Sequence, residues 1–521
     1  MKQENSFVKG TIILAASSMV VKVLSAAYKI PLTRMLGAQG IGTYSAAFNI
    51  FMPFFALATA GITPAVSRLS AQINEKNHGA IISVKRQSFK YFGAFSVLII
   101  ICALVVARVY SAYIDTEILF IGVAILSVNL LFATFEAIYT GISQGTMNMA
   151  VTAKSNILES GAKVIIGVGG VYLIGRSLLS DAEYWQIIFA FITVSLSGLI
   201  CWLYMAQNFK NSYDKTLGAP LKIGAKMLIG MALPISLSAL IVSLTNFFDT
   251  VICLSIVKAI PDHLLMASYP NLAFSAVEDK AIWLFGVYQG LCLTVVNLIP
   301  SLSAAIGASS LPVITKSKLS GRRSDMQRQV SKLMKFTGIC VIPISMFVMF
   351  FAGEVIVTLF GDQGAQTTLA TDFLRIMAPT AIFSAYSFPM NSILHAHDRS
   401  KSILKILTVS CCLKVMLSAF LCSNPQLNIR GCIYSSVAFY LLVFFLTAGS
   451  VKSTGIKLSV IKSMVLPFTL SYLTLTALRL FADAALYNLP ILLKTALCGA
   501  AFVLIYLIVL IFTGFIVDID R

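Results

Sequence analysis

The 521-residue chain is 58% hydrophobic and only 12% charged, with a mean hydropathy of +0.87. A water-soluble domain of this size needs far more charge on its surface, so a soluble fold is excluded. The net charge of +18 has to be read from where the basic residues sit, because a sum alone does not distinguish nucleic acid from membrane.

Fourteen apolar spans follow in order, at about 10–30, 41–66, 91–111, 118–142, 157–176, 185–206, 225–257, 281–307, 333–353, 371–394, 403–422, 431–448, 463–482 and 490–516. Segments of about 20 such residues fit the roughly 30 Å hydrocarbon core of a bilayer. The runs are continuous rather than alternating, which excludes a β-barrel. Lipid offers no partner for backbone N–H and C=O groups, so each span is expected to be a helix. The fold class is all-α integral membrane.

An even number of spans puts both termini on one side. That side carries 26 of the 39 lysines and arginines, densest at Lys316, Lys318, Arg322, Arg323, Arg328, Lys332 and Lys335. The opposite loops hold Arg34, Arg176, Lys258, Lys280 and Arg430 among many acids, including Asp115, Glu117, Asp181, Glu183, Asp262, Glu278, Asp279, Glu354, Asp362, Asp372 and Asp483. The positive-inside bias therefore puts both termini in the cytoplasm of a bacterial cytoplasmic membrane. It also accounts for the basic charge, since these loops lack the interleaved aromatics of a nucleic-acid surface. No nucleic acid is expected as a partner, whereas anionic membrane lipid is.

Two stretches recur at nearly one offset. Pro64-Ala65-Val66-Ser67-Arg68 matches Pro312-Val313-Ile314-Thr315-Lys316 at 248 residues, and 141–163 lies on 392–414 at 251 residues. The second match sets Lys163 opposite Lys414. A six-plus-six duplication follows, with lobes at 1–222 and 223–450 and two additional helices in 451–521.

Ionisable residues inside a span cost at least about 2–3 kcal/mol and normally face a cavity or a partner. Arg108, Arg375, Arg479 and Lys494 lie near outer ends and can snorkel. Lys22 and Lys29 sit deeper, seven residues apart on one helix face, where they would line an anion-preferring cavity or pair with Glu136 or Glu159. Lys163 follows Glu159 by four residues, the spacing of an intrahelical ion pair, so ligand binding and self-neutralisation stand together there. Lys414 has no carboxylate at that spacing and is read as lining the cavity. Asp249, the only acid of the seventh span, would hold a coupling cation or pair with a lysine of the other half. Seven of the prolines, with Gly37, Gly40, Gly42 and Gly61, imply bent helices.

Of the ten cysteines, eight lie inside apolar runs without CxxC pairs or histidine partners, so no metal or cofactor is expected. Cys422 and Cys432 flank one short loop, and spacing alone leaves them as free thiols. His395 and His397 lie beside Asp398 and Arg399 in a small cytoplasmic turn, not in an enzyme's site. No cleavable signal is apparent before the first span.

The ordered run of Phe7-Val8-Lys9-Gly10-Thr11, Lys22, Gly37-Ala38-Gln39-Gly40-Ile41-Gly42-Thr43-Tyr44, Pro64–Arg68, Gly141-Ile142-Ser143-Gln144-Gly145 with Asn148-Met149 and Ala153, and Leu374-Arg375-Ile376-Met377-Ala378-Pro379 resembles the multidrug/oligosaccharidyl-lipid/polysaccharide exporter superfamily. The likeness is to its stage V sporulation protein B-like, polysaccharide-biosynthesis branch. The resemblance implies two six-helix lobes around a central cavity that opens alternately to either side. It implies a flippase for an undecaprenyl-pyrophosphate-linked sugar, lipid II among the candidates, and not an enzyme. The cavity residues would be Lys22, Lys29, Lys163, Asp249, Gln289 and Lys414. The chain departs from the lipid II branch in having no charge at 35–67 and in offering Gln289 and Asn297, rather than cations, in the eighth span. A drug or cation antiporter of the same superfamily is the alternative, and it would want more acids in the cavity. A membrane glycosyltransferase would need a carboxylate or histidine base at a membrane face.

Overall fold

Lipid forces each crossing segment to satisfy its own backbone, and the described residues of this computed structural model contain helices and no strand. The structure describes residues 2–73, 77–177, 181–213, 221, 224–269, 279–319, 323–456, 458, 460–486 and 489–512. Glu278 and Arg322 lie outside the described residues, as do the side chains of the Phe7–Thr11 run and of Pro312, Val313, Thr315, Lys316, Lys318 and Arg323.

The chain divides into two compact units, Met1–Ser255 and Ile256–Arg521. The first contains α1 (Lys2–Thr59), α2 (Ile62–Ala71), α3 (His78–Tyr113), α4 (Glu117–Gly145), α5 (Met149–Ala162), a π-helical turn (Lys163–Val168), α6 (Gly169–Gly175), α7 (Ala182–Ser212) and most of α8 (Ala225–Ala259). The second contains α9 (Asp262–Ser268), α10 (Lys280–Gly286), a second π-helical turn (Val287–Cys292), α11 (Leu293–Leu319), α12 (Arg323–Phe350), α13 (Ala352–Phe360), α14 (Ala365–Met377), α15 (Thr380–Ala396), α16 (Ser400–Cys422), α17 (Ile429–Lys452), α18 (Val460–Ala485) and α19 (Ile491–Phe512).

Twelve of the described helices are long and apolar enough to cross a membrane. The count departs from the fourteen read in the sequence for two local reasons. The first two spans are counted together because the helices within α1 meet end to end at a kink, Gly37, whose φ of 63° lies in the left-handed region that glycine adopts without cost. The tenth span is broken at Ala378-Pro379 into α14 and α15, each too short to cross alone, because a proline supplies no N–H and crowds the preceding turn.

In the first unit α4 packs on α7, α3, α2 and α1, and α5 packs on α1 and α7. Ile62, Val66, Ile81, Val84, Phe92 and Ile138 form a buried apolar cluster with Leu228 and Ala232 of α8. Gly61 lets α8 approach this cluster closely. A Cβ there would stand 2.0 Å from the Ala232 carbonyl oxygen, while the Gly61 N–H donates to Ser236 Oγ at 3.1 Å.

In the second unit α11 packs on α15, α16 on α17, α12 on α18 and α13 on α19. Its buried phenols are satisfied, with Tyr288 Oη 2.9 Å from Ser436 Oγ and Tyr386 Oη 3.3 Å from Ser463 Oγ. Arg479 pairs with Glu354 of α13 at 2.5 Å and with Asp483 at 3.1 Å, and Lys494 reaches Asp483 at 3.3 Å. These two cations, read from the sequence as snorkelling, are neutralised by acids of neighbouring segments. The apolar side chains left exposed on α19, such as Leu492, Val503, Leu504, Ile508 and Phe512, are the surface a helix presents to lipid.

Candidate functional site

A charge inside a membrane helix is held by whatever neighbouring helices bring to it. The first unit brings together a polar cluster from three of them. Glu159 of α5 and Lys163, at the start of the π-helical turn, form an ion pair with Nζ 2.6 Å from Oε1. The four-residue spacing visible in the sequence thus becomes a contact. Glu136 of α4 and Cys201 of α7 join it, and a carboxylate oxygen from each glutamate and the Cys201 Sγ all lie within 4.8 Å of one another. Ser155, one turn before Glu159, lies with its Oγ 2.7 Å from that sulfur. With both carboxylates ionised, the cluster holds two negative charges against one ammonium, so one proton or one small cation makes it neutral. Its carboxylate and thiol donors are the atoms that would hold such an ion.

Tyr44 of α1 flanks this cluster, its ring stacked 5.0 Å from Phe191 of α7. Tyr28 of α1 donates to the Ala190 carbonyl at 3.5 Å. Lys22 and Lys29 lie on the same helix, two turns or about 10 Å apart, and both are half-buried. Among the described residues Lys29 forms no ion pair.

Asp249 is buried in α8 between Thr245 and Thr250, which are buried as well. Thr250 Oγ1 accepts from Asn49 Nδ2 of α1 at 2.9 Å, tying α8 to α1 near the acid. Gln289 belongs to the second unit, half-buried in the π-helical turn Val287–Cys292. Lys414 is buried in α16, with its ammonium 5.6 Å from the Phe439 ring centroid on α17. Of the residues singled out in the sequence, Glu159 and Lys163 are brought into contact with each other. In the sequence, Glu136 and Glu159 were alternative partners for Lys22 and Lys29, and Cys201 was set aside; the structure brings Glu136 and Cys201 to Glu159. The mid-span acid was the visible signal for Glu136, and nothing in the sequence marked Cys201. The π-helical turns at Lys163 and around Gln289 were also invisible. Such turns recur at functional positions because they shift the register of one helix face.

Residues 7–318 match the family model described as polysaccharide biosynthesis protein. The chain belongs to this family. Residues 289–420 also match the model described as MatE. Both place the polysaccharide biosynthesis family member within the multidrug/oligosaccharidyl-lipid/polysaccharide exporter superfamily. The chain is 23% identical over 464 residues to the stage V sporulation protein B of Bacillus subtilis, covering 86% of this chain and 84% of the relative. It is 22% identical over 465 residues to the lipid II flippase MurJ of the same organism, covering 84% and 81%. Among solved structures, the inward closed conformation of lipid II flippase MurJ superposes with a TM-score of 0.68 at 14% identity, covering 98% of this chain and 100% of that one. An inward-facing multidrug resistance MATE family transporter superposes with a TM-score of 0.65 at 16% identity, covering 85% and 98%. These likenesses show the fold, and with the apolar helices they make this a multi-pass membrane protein.

Proposed function

We propose that this protein is an alternating-access flippase that moves an undecaprenyl-pyrophosphate-linked sugar from the cytoplasmic to the outer leaflet for cell-wall or polysaccharide synthesis. The observation that carries the reading is the pair of cations on α1. Lys22 and Lys29 repeat at two turns on one strip of a membrane helix, a placement that suits a pyrophosphate and is costly without an anion or partner. The named relatives, a lipid II flippase and a sporulation protein, support the substrate class. The reading includes fourteen crossings, with α1 crossing twice through its Gly37 kink and α14–α15 together crossing once. It also places both termini in the cytoplasm, from the loop charges. Asp249 of the first unit and Gln289 and Lys414 of the second are proposed as further substrate-binding residues.

The acidic cluster around Glu136 and the MatE match favour a second reading, a cation-coupled drug antiporter. Flipping of fluorescent undecaprenyl-pyrophosphate sugars in proteoliposomes decides between them. Lys22→Ala is expected to abolish flipping while the protein stays folded and inserted. Undiminished flipping in that variant removes the anion-site argument. Failure of the wild type with every headgroup moves the assignment to the antiporter.

A further inference from the structure

The α16–α17 hairpin turns through a short loop whose two ends each carry a cysteine. Small side chains line the seam. Ser418 and Cys422 are one turn apart on α16, Cys432 and Ser435 face them on α17, and the Ser418 and Ser435 hydroxyl oxygens are 2.6 Å apart. Gly431 lets the backbones close further, since a Cβ there would lie 2.6 Å from the Cys422 nitrogen. One layer above the serine pair, the Cys422 and Cys432 sulfurs stand 3.2 Å apart, both fully buried.

The loop above them is stiffly held. Asn428 caps α17 with a φ of 39° and its N–H donates to the Asn424 carbonyl at 2.9 Å. Tyr269 donates to Asn428 Oδ1, Ser268 Oγ donates to the Pro425 carbonyl at 2.9 Å, and the Arg430 guanidinium covers the Tyr269 ring at 5.1 Å. The sulfurs are therefore fixed close together by their surroundings. A bonded pair at about 2.0 Å requires a closing movement of only about 1 Å. Ser423, Asn424 and Gln426 are exposed, so the pair lies just beneath the loop surface.

We infer that Cys422 and Cys432 are joined by a disulfide in the mature protein, formed on the outer face as the hairpin emerges and before helix packing buries the thiols. This rests on the orientation proposed above, which puts the 423–428 loop outside, where disulfides persist. The oxidant is the disulfide of an exported thiol–disulfide oxidoreductase. One cysteine thiolate attacks a donor sulfur, breaking the donor's S–S bond and releasing one donor thiolate. The second cysteine thiolate then attacks the mixed disulfide at the first cysteine's sulfur and releases the other donor thiolate. Two electrons pass to the donor, and the two thiol protons end on its two thiolates.

Trypsin cleavage after Lys414, Arg430 and Lys452 yields fragments 415–430 and 431–452, each with a single cysteine. Full-length protein is trapped in membranes with acid and N-ethylmaleimide, digested, and analysed by mass spectrometry without reductant. The expected result is one linked species that separates into the two fragments on reduction. A second sample, membranes treated with diamide before trapping, tells two failures apart. Fragments alkylated in native membranes but linked after diamide refute the native bond and point to a cytoplasmic loop, against the orientation. Fragments alkylated in both samples refute the bond and the sulfur geometry, with the orientation untouched.

Discussion

Removing the Lys163 ammonium tests whether the half-buried cluster of the first unit is held by charge balance. In Lys163→Met the side chain keeps much of its length, and the Glu159 carboxylate loses its partner at 2.6 Å. Glu136 and Glu159 are then left with oxygens within 4.8 Å of each other, where two full charges repel by about 3 kcal/mol at an effective dielectric constant near 20. Breaking a buried pair by taking away one member costs about 3–5 kcal/mol. The lysine and glutamate side chains here retain 27% and 26% exposure, so the lower end of that range applies. A loss of about 3 kcal/mol should lower the melting temperature of the detergent-purified protein by several degrees. The double variant Lys163→Met/Glu159→Gln removes the orphaned charge and should recover most of that loss. Both are measured by thermal unfolding followed by intrinsic fluorescence. An unchanged melting temperature in the single variant, or a double variant that is worse still, would refute the charge-balance account.

Gly61→Ala is expected to destabilise the first unit by about 2 kcal/mol or more, because its Cβ cannot coexist with the Ala232 carbonyl oxygen at 2.0 Å. Gly161→Ala meets nothing within 4 Å and should be neutral or stabilising by about 0.5–1 kcal/mol, as helix propensity favours alanine; comparing the two melting temperatures checks both. Lys414→Ala is expected to weaken transport more than Lys494→Ala. The first removes a buried cation held over Phe439, whereas the second removes one of two cations that share Asp483. Equal losses in the proteoliposome assay would contradict that ranking.

The sequence by itself determined what can be read along one helix. Continuous apolar runs required membrane-crossing helices, and the four-residue step from Glu159 to Lys163 announced a contact that the structure makes at 2.6 Å. Gly37 and Pro379 were visible as breaks, although only the folded backbone showed that the first joins two helices end to end at a kink and the second divides a span. Tertiary structure alone decided which residues of different helices meet. Glu136, Glu159 and Cys201 come from α4, α5 and α7, and their approach depends on how far each helix is rotated and slid against the next. The same holds for Gly61 beneath Ala232 and for the sulfurs of Cys422 and Cys432. Hydropathy is insensitive to rotation about a helix axis, because every face of a lipid-embedded helix is largely apolar; the facing is set by close packing of small and large side chains.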